Sequence, residues 1–401
     1  MHNQKRVILH IVFDNVFFDQ LYPYFEGMDN YENRYLLTDL NTGDGAALKY
    51  IKNSEKIIRA ADIEEWGGYV ADNEVDIIYL HGLWDNYLKA IDYIGDNVVV
   101  MWWCYGMEIY ENIFKRPALL PLKIYKPKTH CLCLKNVSKG FHYINAELSY
   151  SLPGFYLLAI RLYNRLTGRK GDALKKMLKR IDYIFTPLDI ETEILKKKHP
   201  YIKAKPYTLR KPKKQEAFLE QSAKRGILFE HSANITNNHL DIIASIKRKK
   251  LSLSGRDIVV PLSYGDNNMA EIVSKKVKFD GAKVHCLMEP LPYHEYQEMI
   301  SNCSHAFFGM IRQSGLGNIF LCFKKGIKVF FFKDSILYKY FIEKGFYVYS
   351  IEDDLTDLCI SEPLPLEQAK VNFEKYYSIF EDTCDTFQQQ IDNILNNRKN
   401  G

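Results

Sequence analysis

Short apolar runs recur along most of the chain, each followed by a polar or glycine-bearing turn and then by apolar positions at helical spacing. Runs of about four to eight apolar residues bounded by turn residues read as fully buried strands. In the first half this predicts strands at Val7–Phe13, Asp76–His81, Asn97–Trp103 and Ile181–Thr186, with shorter ones at Tyr35–Leu37 and Glu55–Ile58. Helical spacing covers Ala60–Ala71, Leu83–Ile94, Asp172–Arg180 and Pro187–Lys198, and Cys104–Glu111 reads as a turn into a helix. In the second half, strands at Gly226–Glu230, Asp257–Pro261, Lys283–Leu287, His305–Phe308, Lys328–Phe332 and Tyr347–Ser350 alternate with helices at Asn237–Lys250, Asn268–Phe279, Tyr293–Ser301, Ile319–Lys325 and Ser335–Lys344. Buried strands alternating with helices predict parallel sheets covered on both faces, the α/β class.

Two stretches interrupt the alternation. Residues 115–171 are rich in Lys, Tyr, Leu and Pro, and Thr208–Lys224 is polar and basic. With 401 residues the chain accommodates two domains of roughly 150–200 residues each. The boundaries that follow are an N-terminal domain over 1–207 carrying an insert at 115–171, a linker over 208–224, a C-terminal domain over 225–360 and a helical tail over 361–401. The tail has helical pattern without a partner strand and is expected to cross back to the first domain. Two doubly wound, Rossmann-like domains facing a cleft are the GT-B architecture, by analogy of fold.

Charge changes this picture. The total is +5, yet residues 113–180 hold fifteen basic side chains against Glu147 and Asp172, a net +13, so the remainder carries −8. A field of that size faces an anion. Phe155–Leu166 interleaves Arg161 and Arg165 with Leu, Tyr and Phe, the pattern of an interfacial membrane helix, or equally of a packed helix with solvated charges. No nucleic-acid motif accompanies the charge. No apolar run reaches the ~18–20 residues of a spanning helix, and the N-terminus lacks a cleavage site, so a cytoplasmic location is expected. The eight cysteines form no C-x-x-C pair and are expected to be reduced.

Candidate chemistry gathers at strand ends. Arg312-Gln313-Ser314-Gly315-Leu316-Gly317-Asn318 joins a strand to a helix. In open parallel sheets ligands sit at the carboxyl ends of strands, and a helix N-terminus favours an anion. Arg312, Ser314, Gly315, Gly317 and Asn318 are therefore candidates to cradle a diphosphate, joined by Ser232 and Asn234 from the loop after the Gly226–Glu230 strand. Tyr264, at another strand end, is a candidate to stack on a base or touch a sugar. Glu108 and His81 lie just past strands of the first half and are candidate bases; Trp102, Trp103 and Tyr105 around Glu108 would raise its pKa. Glu352-Asp353-Asp354 reads as an acidic loop, so no metal site and no cofactor are expected.

Several stretches in order resemble one family. ILFEHSANITNNHL (Ile227–Leu240), VVPLSYGDNN (Val259–Asn268) and LPYHEYQEMISNCSHAFFGMIRQSGLGNIFLCFKKGIKVFF (Leu291–Phe331), with LHGLWDN (Leu80–Asn86) and WWCYGMEIYE (Trp102–Glu111), are similar to the bacterial TDP-N-acetylfucosamine:lipid II N-acetylfucosaminyltransferases, glycosyltransferase family 56. The resemblance covers about residues 75–360. It implies a GT-B fold and transfer of a fucose-like deoxy-amino sugar from a nucleotide diphosphate to a polyprenyl-diphosphate-linked acceptor. It also implies a peripheral enzyme on the inner face of an anionic membrane, with the acceptor on the N-terminal side. The chain departs from the family where Glu230-His231-Ser232 stands for Gly-Asn-Ser, and Gly106-Met107-Glu108 for Gly-Ala-Asp. A sugar-nucleotide epimerase of the same fold and a non-catalytic scaffold for membrane glycan assembly are the alternatives.

Overall fold

The computed structural model describes residues 5–15, 17–38, 48, 50–53, 55–60, 67–70, 74–110, 119–120, 122–135, 158–159, 162, 173–210, 217–218, 225–381 and 385–399. The chain forms two units. Unit 1 comprises Met1–Pro121, Leu148–Lys214 and Thr383–Gly401; unit 2 comprises Leu122–Glu147 and Gln215–Asp382.

Unit 1 is built on a seven-stranded sheet. Its strands are β1 (Arg6–Val12), β2 (Tyr31–Thr38), β3 (Ile57–Ala60), β4 (Ile77–His81), β5 (Val99–Trp103), β6 (Tyr183–Phe185) and β7 (Lys205–Pro206). Every pairing is parallel, in the order β3-β2-β1-β4-β5-β6-β7. Covering helices bury both faces, which is why β4 and the first four residues of β5 are wholly buried and read as unbroken apolar runs. Ile8, Tyr79, Met101 and Tyr183 pack with Leu21 and Phe25 of the Phe18–Glu26 helix and with Phe387, Ile391 and Leu395 of the Phe387–Lys399 helix. The C-terminal helix therefore belongs to unit 1, as Thr383 onward does.

Unit 2 carries six parallel strands: β8 (Gly226–Phe229), β9 (Asp257–Pro261), β10 (Lys283–Leu287), β11 (Cys303–Phe308), β12 (Lys328–Phe331) and β13 (Tyr349–Ser350), in the order β10-β9-β8-β11-β12-β13. Renumbered within the unit this is 3-2-1-4-5-6, the same order as the first six strands of unit 1. In such a sheet the order reverses between its first and fourth strands, and that switch point is where the carboxyl ends leave a crevice. The points are β1/β4 in unit 1 and β8/β11 in unit 2.

Composition and structure differ at several places. Leu122–Glu147, read as part of the first domain's insert, groups with unit 2. The reason is polar docking: Asp241 accepts the backbone N–H groups of Lys128 and Thr129 and the Thr129 hydroxyl, at 2.7–2.9 Å, capping the Pro127–Lys135 helix. Residues 361–382 of the expected tail also stay with unit 2. Asp85–Tyr93, read as helical, is a 3₁₀ segment. The helix after the Arg312 loop starts at Leu316, not Ile319, because Gly315 caps it with φ 65°. Most of the Ala60–Ala71 helix, the Phe155–Leu166 stretch and the linker lies outside the described residues; within the stretch, Leu158 and Leu162 are exposed. Among the described residues no helix is long and apolar enough to cross a membrane.

Candidate functional site

At the unit 2 switch point three strand-end loops lock together. The loop after β8 meets the loop after β9 through an Ala233–Gly265 bridge, with Ala233 N–H donating to the Tyr264 carbonyl at 2.7 Å and Asp266 N–H to the Ala233 carbonyl at 3.2 Å. Gly265 is required there: at φ 118° its backbone lies so close that a Cβ would stand 2.8 Å from the Ala233 carbonyl carbon. The loop after β8 also meets the loop after β11. Asn238, left-handed at φ 53°, is fully buried; its side-chain amide lies within 3.0 Å of the carbonyls of Ile124, Thr236 and Gly309, and its Oδ1 accepts from Lys126 N–H. Asn tolerates this backbone where most side chains do not. Asn238 was not a candidate from the sequence; its only signal there is an Asn pair just before a helical pattern.

The expected donor residues divide by what they do. Ser314 is partly exposed, and its Oγ lies 3.2 Å from His231 Nε2. Gly315 turns the chain into the Leu316–Lys324 helix. Arg312 is 6% exposed and donates through Nη1 to the Gln313 carbonyl at 2.9 Å. Ser232 is buried and takes the Asn237 amide on its carbonyl and hydroxyl oxygens. Asn234 caps a 3₁₀ turn by accepting from Thr236 N–H and Oγ1. Gly317 and Asn318 lie in the helix's first turn; Gly317 faces open space, whereas Asn318 Oδ1 accepts from Tyr296 Oη at 2.6 Å and braces a neighbouring helix. Tyr264 is half exposed at the end of β9. The structure thus brings Arg312, Ser314 and Gly315 beside the β8 loop and gives Ser232, Asn234 and Asn318 side-chain bonds within the scaffold.

Glu230 and His231, noted from sequence only as a departure, sit at the centre. Glu230 has φ 68°, which accounts for a glycine at this place in the resembled family. Its carboxyl is fully buried, accepts from Gly309 N–H, and is pushed well above the usual carboxylate range by burial. His231 Nδ1 lies 3.2 Å from Glu230 Oε2; burial, with Arg312 nearby, pushes the imidazole down to about 3.

In unit 1, His81 ends β4 and Glu108 opens the short Met107–Tyr110 helix. Each is 1% exposed. His81 Nε2 lies 3.0 Å from His10 Nδ1, and His10 Nε2 lies 3.0 Å from Asn33 Oδ1. Phe18, Phe25 and Tyr79 rings surround His81. Glu108 Oε1 accepts from Tyr105 N–H at 2.9 Å and from Trp102 Nε1 at 3.4 Å, and burial holds the carboxyl above the usual range. Among the described residues no nitrogen or oxygen pairs with the buried Glu108 Oε2 or His81 Nδ1, and the Cys104 thiol lies against the Glu108 carboxyl.

A family model described as 4-alpha-L-fucosyltransferase, glycosyl transferase group 56, matches residues 180–384, just over half of the chain. The chain belongs to this family. The match spans all of the unit 2 loops above and stops short of His81 and Glu108. Solved structures share the fold at low identity. Sucrose-phosphate synthase from Thermosynechococcus elongatus aligns at TM-score 0.61 and 9% identity, over 99% of this chain and 100% of its own. A lipopolysaccharide outer core galactosyltransferase aligns at 0.52 and 9%, over 98% and 99%. An alpha-glucosyltransferase determined with UDP and DNA aligns at 0.51 and 11%, over 98% and 100%. The group 56 chain therefore has a GT-B-type fold of two Rossmann-like units, and the protein is a glycosyltransferase.

Proposed function

We propose that this group 56 enzyme moves a fucose-like deoxyhexose, such as N-acetylfucosamine, from a nucleoside diphosphate to a polyprenyl-diphosphate-linked glycan at the inner face of a bacterial membrane. The observation that carries the donor half is the junction of Arg312, Ser314 and Gly315 with the β8 loop at the β8/β11 switch point. A departing diphosphate needs its developing charge met by fixed donors. Arg312 supplies a cation, Ser314 a hydroxyl, and the Leu316–Lys324 helix an N-terminus. In the transfer, the bond from the anomeric carbon to the diphosphate oxygen breaks and a bond to the acceptor oxygen forms. The acceptor's hydroxyl proton passes to a base, for which Glu108 is our candidate, because burial favours the protonated product. The membrane half is supported by the +13 net charge of residues 113–180 and by exposed Leu158 and Leu162.

A thermal-shift panel of TDP, UDP and GDP, with CMP as control, tests the donor half. At least one diphosphate should raise Tm where CMP does not, and the shift should vanish in Arg312→Ala, which removes a charge-assisted contact of about 1.5–3 kcal/mol. No shift with any diphosphate would remove the donor site from these loops. Cosedimentation with vesicles containing anionic lipid tests the membrane half: binding at low salt should fall at high salt, and no binding at low salt would count against it.

A further inference from the structure

Ser314 and His231 come from loops after different strands, yet their side chains meet, and Gly315 lies flush against the imidazole: a Cβ there would stand 2.6 Å from His231 Nδ1. We propose that Glu230, His231 and Ser314 form a one-way hydrogen-bonded chain. In it the Glu230 carboxylic acid donates to His231 Nδ1, His231 Nε2–H donates to Ser314 Oγ, and the Ser314 hydroxyl proton is thereby turned outward to an anionic oxygen of the bound donor. This deepens the donor reading above and rests on it for the identity of that anion.

The direction of the chain follows from which groups can carry charge. Two backbone N–H groups, of Gly309 and His231, pull the Glu230 carboxyl toward its ionised form, but burial opposes them and is the larger influence. Burial and the neighbouring Arg312 keep the imidazole uncharged. With Glu230 Oε1 accepting from Gly309 N–H, the acid proton belongs on Oε2, which faces Nδ1. Nδ1 must then be the acceptor, so Nε2 carries the ring proton and gives it to Ser314 Oγ. The serine proton is left pointing away from the histidine. The opposite polarity, serine to histidine to carboxylate, is that of acyl-transfer triads and needs a charged carboxylate, which this burial disfavours. A hydroxyl aligned in advance meets a phosphate oxygen without reorienting, the preorganisation that makes such donors effective. His231 and Glu230 are thus positioning residues; of the three, Ser314 alone touches the anion.

Two readouts on the full-length protein separate the chain from the donor reading. The first uses no nucleotide: nitrogen NMR of histidine-labelled protein, assigned with His231→Gln, should show the Nε2–H tautomer at His231. An Nδ1–H tautomer or a doubly protonated ring at neutral pH would overturn the proposal. The second measures TDP and UDP affinity by calorimetry. Glu230→Gln, whose amide accepts from Gly309 N–H and donates to Nδ1 as the acid does, should keep affinity within about twofold, while Ser314→Ala should lose about 10- to 100-fold, the range of a hydrogen bond to a charged group. A large loss in Glu230→Gln, or an unchanged affinity in Ser314→Ala, would overturn the chain. Absence of any nucleotide binding alongside the Nε2–H tautomer would instead remove its proposed anion and fell the donor reading.

Discussion

The two switch points share a strand order and end in opposite ways. At β1/β4 the chain Asn33–His10–His81 runs inward and stops at a buried nitrogen, His81 Nδ1, inside a cage of aromatic rings. At β8/β11 the chain Glu230–His231–Ser314 runs outward and stops at a partly exposed hydroxyl. Topology supplies a crevice at both; what fills it is decided by a few residues after each strand. In unit 1 large rings close the space. In unit 2 glycines let the loops pack closely: a Cβ on Gly309 would stand 2.5 Å from the Asn237 carbonyl oxygen and one on Gly315 2.6 Å from His231 Nδ1, while Ser314 stays partly exposed. One strand order thus ends in a ring-filled core in unit 1 and in a partly exposed hydroxyl in unit 2, and the outward-ending chain lies within the residues matched by the group 56 family model.

The largest expected effect concerns what unit 1 adds to the chemistry away from its ring-filled switch point. Glu108→Gln keeps an oxygen for Tyr105 N–H and removes the proposed base. We expect kcat to fall by about 10²- to 10⁴-fold, the range of general base catalysis, with TDP affinity unchanged because the loops proposed for the donor belong to unit 2. A kcat within about threefold of the parent would assign Glu108 to packing alone.

Legibility followed burial and locality. Strands such as β5 and β11 were readable because parallel strands covered on both faces are nearly continuous apolar runs. The loop after β11 was readable as a strand–helix junction because Gly315 punctuates it. The Phe18–Glu26 helix was not, since Pro23 sits inside it and contradicts helical propensity. Nor was the Glu230–His231–Ser314 chain, because His231 and Ser314 are 83 residues apart and meet only through the sheet order. Docking of the Pro127–Lys135 helix on Asp241 was hidden for the same reason: the basic composition that suggested an insert says nothing about which carboxylate caps it.

A second prediction sharpens the claim that unit 1's chain is core. His10 is fully buried, and burial lowers its pKa from 6.5 to about 4, against a smaller opposing effect of Asn33. The unfolded chain therefore takes up a proton before the folded one. His10 contributes full stability above pH 6.5, lost as pH falls through that window toward 4, about 3 kcal/mol in all. Urea unfolding of the parent and of His10→Gln should show the parent losing about that much more between pH 6.5 and 4; histidines that do not touch His10 cancel, and the His81→Gln pair of proteins, with and without His10→Gln, removes the coupling through its hydrogen-bond partner. Parallel curves would mean that His10 is solvated and the cage is open.

The finest test lies between two glycines two residues apart, both proposed for the donor site for the same reason. Gly315 is left-handed and its Cβ would strike the His231 ring, so Gly315→Ala should destabilise unit 2 by about 1–2 kcal/mol from the backbone alone, and more from the contact. Gly317 is helical with open space around it, so Gly317→Ala should stabilise by up to about 1 kcal/mol, the difference in helix propensity. If nucleotide affinity falls in Gly317→Ala while urea unfolding shows the gain in stability, the open space is where the donor approaches and the glycine is kept for binding against its own helix. If affinity stays put, Gly317 leaves the site and Gly315 alone shapes the loop, by holding the histidine that orients Ser314.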